Sequence, residues 1–176
     1  MRFISLLERI LKQALRSDRW NPMLNEGDKA PAFTTRDTNG KTISSSQFKG
    51  KRFVLYFYPR DDTPGCTIEA CSFRDHFKEF KKRKIEILGV SMDNETSHQK
   101  FSKRFQLPFP LLVDEHGEIA QAYGAYGEKK FLGRTFQGVK RMTFIIDKKG
   151  RIAKIYWKVK TFNHAQEVME FAQTLQ

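Results

Sequence analysis

The sequence predicts one α/β domain built on a mixed β-sheet with helices on both faces. Three observations carry that prediction. The segments "RFVLYFYP" (52–59), "IEILGVSMD" (85–93) and "FPLLVDE" (109–115) are near-continuous apolar runs, the pattern of strands buried on both sides. Stretches of helical spacing separate them. Last, "RMTFIIDKKGRIAKIYW" (141–157) reads as a hairpin and "NHAQEVMEFAQTL" (163–175) as a closing helix capped by Asn163. Strands alternating with helices and ending in a hairpin give a mixed sheet covered on both sides.

Taken in order, the chain of 176 residues fits one domain with an appendage. In the appendage, residues 1–22, Phe3, Leu6, Leu7, Ile10, Leu11, Ala14 and Leu15 make one helical stripe, and Arg2, Glu8, Arg9, Lys12, Gln13 and Arg16 the opposite face. Charges interrupt every stretch long enough for a secretory signal. Three readings remain: a helix docked on its own domain or a partner subunit, a helix lying on a membrane through residues 1–20, or a transit peptide, against which Glu8 and Asp18 count. "NPMLNEGDKAPAF" (21–33) is a turn-rich linker, so the globular unit is taken as 27–176. A hairpin around Asn39-Gly40 opens it. The run 52–59 is the central strand, followed by a helix from Cys66 to Lys82. "ETSHQKFSKRFQ" (95–106) is a helix with Glu95, Phe101 and Phe105 placed for amphipathy, and 116–140 mixes a short helix with a glycine-punctuated loop. This is the plan of a thioredoxin-like fold.

Composition bounds the function. Hydrophobic residues make up 39% of the chain, with 16 Phe, enough for a packed core. No run approaches the roughly 18 apolar residues of a membrane span. Two cysteines do not make a disulfide scaffold and suit a reducing compartment, here read as cytoplasmic, with organelle targeting by the extension left open. The formal charge of +12 raises nucleic acid as a partner. The densest basic run, "KEFKKRKIE" (78–86), falls at a helix end, where cations complement the dipole. Zinc-finger spacing and RNP-like aromatic motifs are absent from the sequence, so no specific nucleic acid is expected.

Both cysteines, Cys66 and Cys71, lie within "PRDDTPGCTIEACSF" (59–73). A strand ends at Tyr58-Pro59, a Thr63-Pro64-Gly65 loop follows, and Cys66 opens a helix. The first helical turn has unpaired N–H groups and the positive end of the macrodipole, surroundings that favour the nucleophilic thiolate. Thr63 can turn its hydroxyl toward the sulfur and an incoming oxygen, while Pro59 and Pro64 fix the loop. Residues five apart on a helix have Cα atoms roughly 8–9 Å apart, beyond the about 7 Å that a disulfide allows. The two thiols therefore cannot bond while both are helical, and joining them needs local unwinding. The plain alternative is core packing, which suits Cys71 better than Cys66. A metal site lacks ligands, since His76 is not suitably spaced with both thiols.

The segment "YFYPRDDTPGCTIEACSFRD" resembles the active site of the peroxiredoxins, whose P-x-x-x-T-x-x-C motif stands here as Pro59, Thr63 and Cys66. A second cysteine five residues on resembles the bacterioferritin-comigratory, or Q-type, subgroup. "YGEKKFLGRTFQGVKRMTFIIDKKG" and "WKVKTFNHAQEV" are similar to it too, so the resemblance runs from about Gly27 to the C-terminus. It implies a peroxidatic Cys66 that becomes a sulfenic acid, Thr63 bonding peroxide and thiolate, and Pro59 shielding the sulfur. It also implies that Arg141 stabilises the thiolate and the leaving oxygen, that the N–H groups of Gly65 and Cys66 position substrate, and that Glu69 orients the arginine. Cys71 would be the resolving cysteine, closing an intramolecular disulfide that a thioredoxin-like dithiol reduces. Hydrogen peroxide or alkyl hydroperoxides would be the substrates, no cofactor is implied, and a monomer is expected, with a dimer left open by the apolar stripe. Met142 and Tyr126 depart from the subgroup, which commonly has a small hydroxyl residue and a tryptophan there. Two rivals stand beside this reading: a dithiol–disulfide oxidoreductase, disfavoured by the spacing, and a basic binding or scaffold protein on the same fold, disfavoured by the intact Thr63, Cys66 and Arg141.

Overall fold

The computed structural model describes residues 24–175. The amphipathic extension, 1–22, lies outside the described residues. The apolar runs form three adjacent strands of a five-stranded sheet: β3 (Arg52–Phe57), β4 (Ile85–Ser91) and β5 (Leu111–Val113) stand with β8 (Met142–Ile146) and β9 (Ile152–Tyr156) in the order β5-β4-β3-β8-β9. β3, β4 and β5 are parallel, β8 runs antiparallel to β3, and β9 runs antiparallel to β8. Side chains alternate across β3, so Phe53, Leu55 and Phe57 enter one core while Val54 and Tyr56 enter the other. This two-sided burial explains the unbroken apolar run.

The first core lies under the N-terminal hairpin, β1 (Thr34–Arg36) and β2 (Thr42–Ser44), a short 3₁₀ turn at Ser45–Phe48, and the helix at Glu118–Ala122, which is α4 in chain order. The second lies under α1 (Pro64–Asp75), α2 (Phe77–Lys82), α3 (Glu95–Phe105) and α5 (His164–Ala172). Phe73, Phe80, Phe101 and Val168 fill it together with Cys66 and Ala70.

The structure corrects several local expectations. The first hairpin does not turn on two residues. The Asp37 amide donates to the Lys41 carbonyl, and the three residues between them end in Gly40 at φ 73°. Asp37 Oδ1 shapes this loop by accepting from the Asn39 and Lys41 amides. The helix expected over 66–82 starts earlier, at Pro64, where a proline lacks only an N–H that has no helical partner. It also breaks at His76 (φ −94°, ψ 1°), whose Nδ1 lies 2.9 Å from the Ser72 carbonyl. The glycine-punctuated loop is a further hairpin, β6 (Tyr126–Phe131) and β7 (Arg134–Val139), and Asn163 precedes α5 without a side-chain cap bond. In α3 the cap is Asn94, whose side chain accepts from the Ser97 amide. Glu95 lies on the polar face near Arg36, and His98 joins Phe101 among the buried residues.

Gly89 is required by close packing. A Cβ there would lie 2.8 Å from the Tyr56 ring and from a Leu111 methyl. Gly89→Ala is therefore expected to destabilise the protein by about 1–3 kcal/mol. A lower urea midpoint at unchanged slope checks this, and an unchanged midpoint contradicts it.

Candidate active site

The site forms where three elements meet. β3 delivers the chain to Pro59, the loop turns through Asp62 at φ 58°, and Thr63 (φ −89°, ψ 153°) precedes α1. Pro64, Gly65 and Cys66 are its first three helical residues, so the Gly65 and Cys66 amides have no intrahelical acceptor. Cys66 is 1% exposed, packed among apolar side chains of the second core.

Arg141, between β7 and β8, closes the site. Its Nη2 donates to Cys66 Sγ at 3.2 Å, and its Nη1 donates to Glu69 Oε2. Gly65 permits this approach, because a Cβ there would lie 3.2 Å from Nη2. Glu69 is fully buried, one turn beyond Cys66 on the same face of α1. Burial pushes its carboxyl up to about 7 against the opposing pull of Arg141. Burial alone disfavours charge on Arg141, but Glu69 and Cys66 outweigh it and hold the guanidinium charged.

Thr63 differs in one respect from its expected orientation. Its hydroxyl donates to the Arg60 carbonyl at 3.0 Å, which leaves the oxygen free to accept. Cys71 lies half-buried on the same unbroken helix as Cys66, and both thiols are free. Burial pushes the Cys71 thiol up, partly offset by Arg74.

A buried network behind the loop was not anticipated from sequence. Asp61 accepts from the Tyr58 hydroxyl at 2.7 Å and the Ser97 hydroxyl at 2.8 Å. His98 places Nδ1 2.8 Å from Asp61 Oδ2 and Nε2 3.1 Å from the Leu112 carbonyl. The Asp61 amide donates to Asp93 at 2.8 Å. The loop before Thr63 is thus tied to α3, to β5 and to the segment after β4. The available signal was spacing: His98 and Phe101 are three apart, on one face of a helix.

The chain matches the model of the AhpC/TSA family over residues 26–155. It belongs to that family. It is 44% identical over 144 residues to peroxiredoxin Bcp of Bacillus subtilis, covering 82% of this chain and 92% of the relative. Peroxiredoxin Bcp of Escherichia coli is 39% identical over 151 residues, 86% of this chain and 96% of the relative. Among solved structures, the bacterioferritin comigratory protein of Xanthomonas campestris, described for its alkyl peroxide reduction activity, superposes with a TM-score of 0.77 at 32% identity. That match covers 81% of this chain and 90% of the other. The chain is a peroxiredoxin of the Bcp and Q kind, with the thioredoxin-like fold expected. Its two departures belong to packing: Met142 is buried in the first core, and Tyr126 packs against that core from the base of the β6–β7 hairpin.

Glu69 makes stability depend on pH. Its folded carboxyl is raised from 4.5 to about 7, so its contribution is complete below about 4.5 and is lost as pH rises to about 7. The stability of the natural protein minus that of Glu69→Gln should therefore fall across this window and stay level above it. Denaturant unfolding at stepped pH checks this, and a difference that stays constant or rises contradicts it.

Proposed function

We propose that this peroxiredoxin reduces hydrogen peroxide and alkyl hydroperoxides at Cys66, closes a Cys66–Cys71 disulfide, and is returned to the dithiol by a thioredoxin-like reductant. Residues 27–176 are the catalytic unit of this reading. One observation carries it: the Arg141 guanidinium contacts Cys66 Sγ and the buried Glu69 at once, beside two helix-start amides without helical partners.

The chemistry follows from that placement. The Cys66 thiolate attacks the terminal oxygen of R–O–OH, the O–O bond breaks, and sulfur is oxidised to the sulfenic acid. The departing RO⁻ takes a proton and leaves as ROH. Arg141, permanently charged, stabilises the thiolate and the negative charge that develops on the departing oxygen. The Thr63 oxygen accepts from the peroxide hydroxyl, and the Gly65 and Cys66 amides donate to its oxygens. Pro59 walls the sulfur from water. Glu69 fixes the guanidinium.

Cys71 then attacks the sulfenic sulfur, the S–OH bond breaks, and hydroxide leaves as water after protonation. The helix must open first, because residues five apart on an intact helix are too distant to bond. The break at His76 ends the helical segment that has to open. A dithiol reductant completes the cycle by exchange, becoming the disulfide itself.

Rapid-mixing kinetics tests the assignment. Arg141→Ala should slow oxidation of Cys66 by about 10²–10³-fold, the usual cost of removing a preorganised charge donor. Cys71→Ser should consume one equivalent of peroxide at the natural rate and then stop under thioredoxin. Unchanged oxidation in the first, or sustained turnover in the second, removes that residue from the mechanism.

A further inference from the structure

The β6–β7 hairpin is not absorbed by this chemistry. Among the described residues it is a two-stranded sheet paired with no other strand. Its turn residues Leu132 and Gly133 have φ 48° and 75°, the geometry that Asn-Gly or Gly-Gly adopts without strain. A leucine carries a steric cost there, yet this one is 86% exposed at the apex. Cross-strand pairs share a face, and the register sets Phe131 opposite Arg134 and Lys129 opposite Phe136. One face thus carries two aromatic rings, 66% and 45% exposed, interleaved with two cations. Lys130 and Lys140 add to the charge, and Glu128 is the one acid between 126 and 140.

This face is related to the thiol site. The chain leaves β7 through Lys140 directly into Arg141, and Lys129 donates to the Val139 carbonyl at 2.8 Å. Burial and the charge on Arg141 push the Lys129 ammonium down, while Cys66 pulls it up, so Lys129 shares the field of the active site. An apolar apex backed by cations and almost free of acids complements a soft anionic interface, where aromatic and aliphatic side chains enter the acyl boundary and lysines meet phosphates.

We propose that the Phe131–Leu132 apex and Phe136 dock the protein on an anionic lipid bilayer, presenting the Cys66–Arg141 site to hydroperoxides carried on its acyl chains. The docking itself needs neither residues 1–20 nor turnover at Cys66, whereas the choice of substrate rests on the peroxidase reading.

The test uses the full chain carrying Leu132→Trp, with vesicles of phosphatidylglycerol and phosphatidylcholine brominated in the acyl tails. The natural chain, which contains Trp20 and Trp157, serves as background. Emission of the introduced indole should shift to shorter wavelength and be quenched by the brominated tails. The effect should fade as salt rises and be about tenfold weaker on pure phosphatidylcholine. The Phe131→Ser, Leu132→Ser double variant should keep its turnover of hydrogen peroxide and lose most of its turnover of phospholipid hydroperoxide in anionic vesicles. Sedimentation with vesicles without quenching of the indole would place the contact elsewhere in the chain and overturn the proposal. A spectral shift without vesicles that grows with protein concentration would identify a second copy as the occupant and overturn it too. No association overturns it outright, and none of these results touches the assignment of Cys66.

Discussion

The fold is organised around one partly buried guanidinium. Arg141 reaches Cys66 Sγ and Glu69 together, and both partners are almost wholly removed from water. Burying a carboxylate is costly unless its partner is in place. Here Glu69 Oε1 is buried without a hydrogen-bond partner, while Oε2 accepts from the arginine. Burial pushes the carboxyl to about 7, so near neutral pH it holds a proton part of the time. The guanidinium stays charged throughout. A charge fixed on the sulfur before substrate arrives needs no reorganisation when the oxygen leaves.

The arginine reaches both partners from far away in sequence. Cys66 and Glu69 come from the start of α1, and Arg141 arrives 75 residues after Cys66, from the end of the β6–β7 hairpin. β3 and β8 lie side by side, so the ends that carry the loop and the arginine are neighbours. On the other side of the loop, Asp61, His98 and Tyr58 form a buried polar network that fixes the approach to Thr63. Gly65 and Gly89 serve as clearances, one for the guanidinium and one for the Tyr56 ring beneath it in the core.

The central strands and the thiol helix were legible because each carries a strong local signal: unbroken apolar runs, and a proline-glycine turn before a cysteine. The family motif pointed to Cys66, Thr63 and Arg141, and the structure brings Cys66 and Arg141 into contact. Spacing alone did not reveal that Glu69 is buried, since an acid on an amphipathic helix is equally at home in solvent. Helical spacing places His98 on the buried face beside Phe101, but its pairing with Asp61, 37 residues away, leaves no periodic trace. The β6–β7 hairpin reads as a loop in the sequence because its strands face solvent and carry polar residues, without the alternation that a half-buried strand shows. The helix break at His76 also left no proline or glycine to mark it.

One helix holds the two thiols apart, and the proposed cycle requires them to join after Cys66 is oxidised. The most direct measurement is the intact mass of the fully reduced protein after one equivalent of hydrogen peroxide. The account predicts the loss of two hydrogens, as Cys66 is oxidised and Cys71 closes the disulfide with release of water. A gain of oxygen that persists without that loss would contradict the role of Cys71, and an unchanged mass would contradict the role of Cys66.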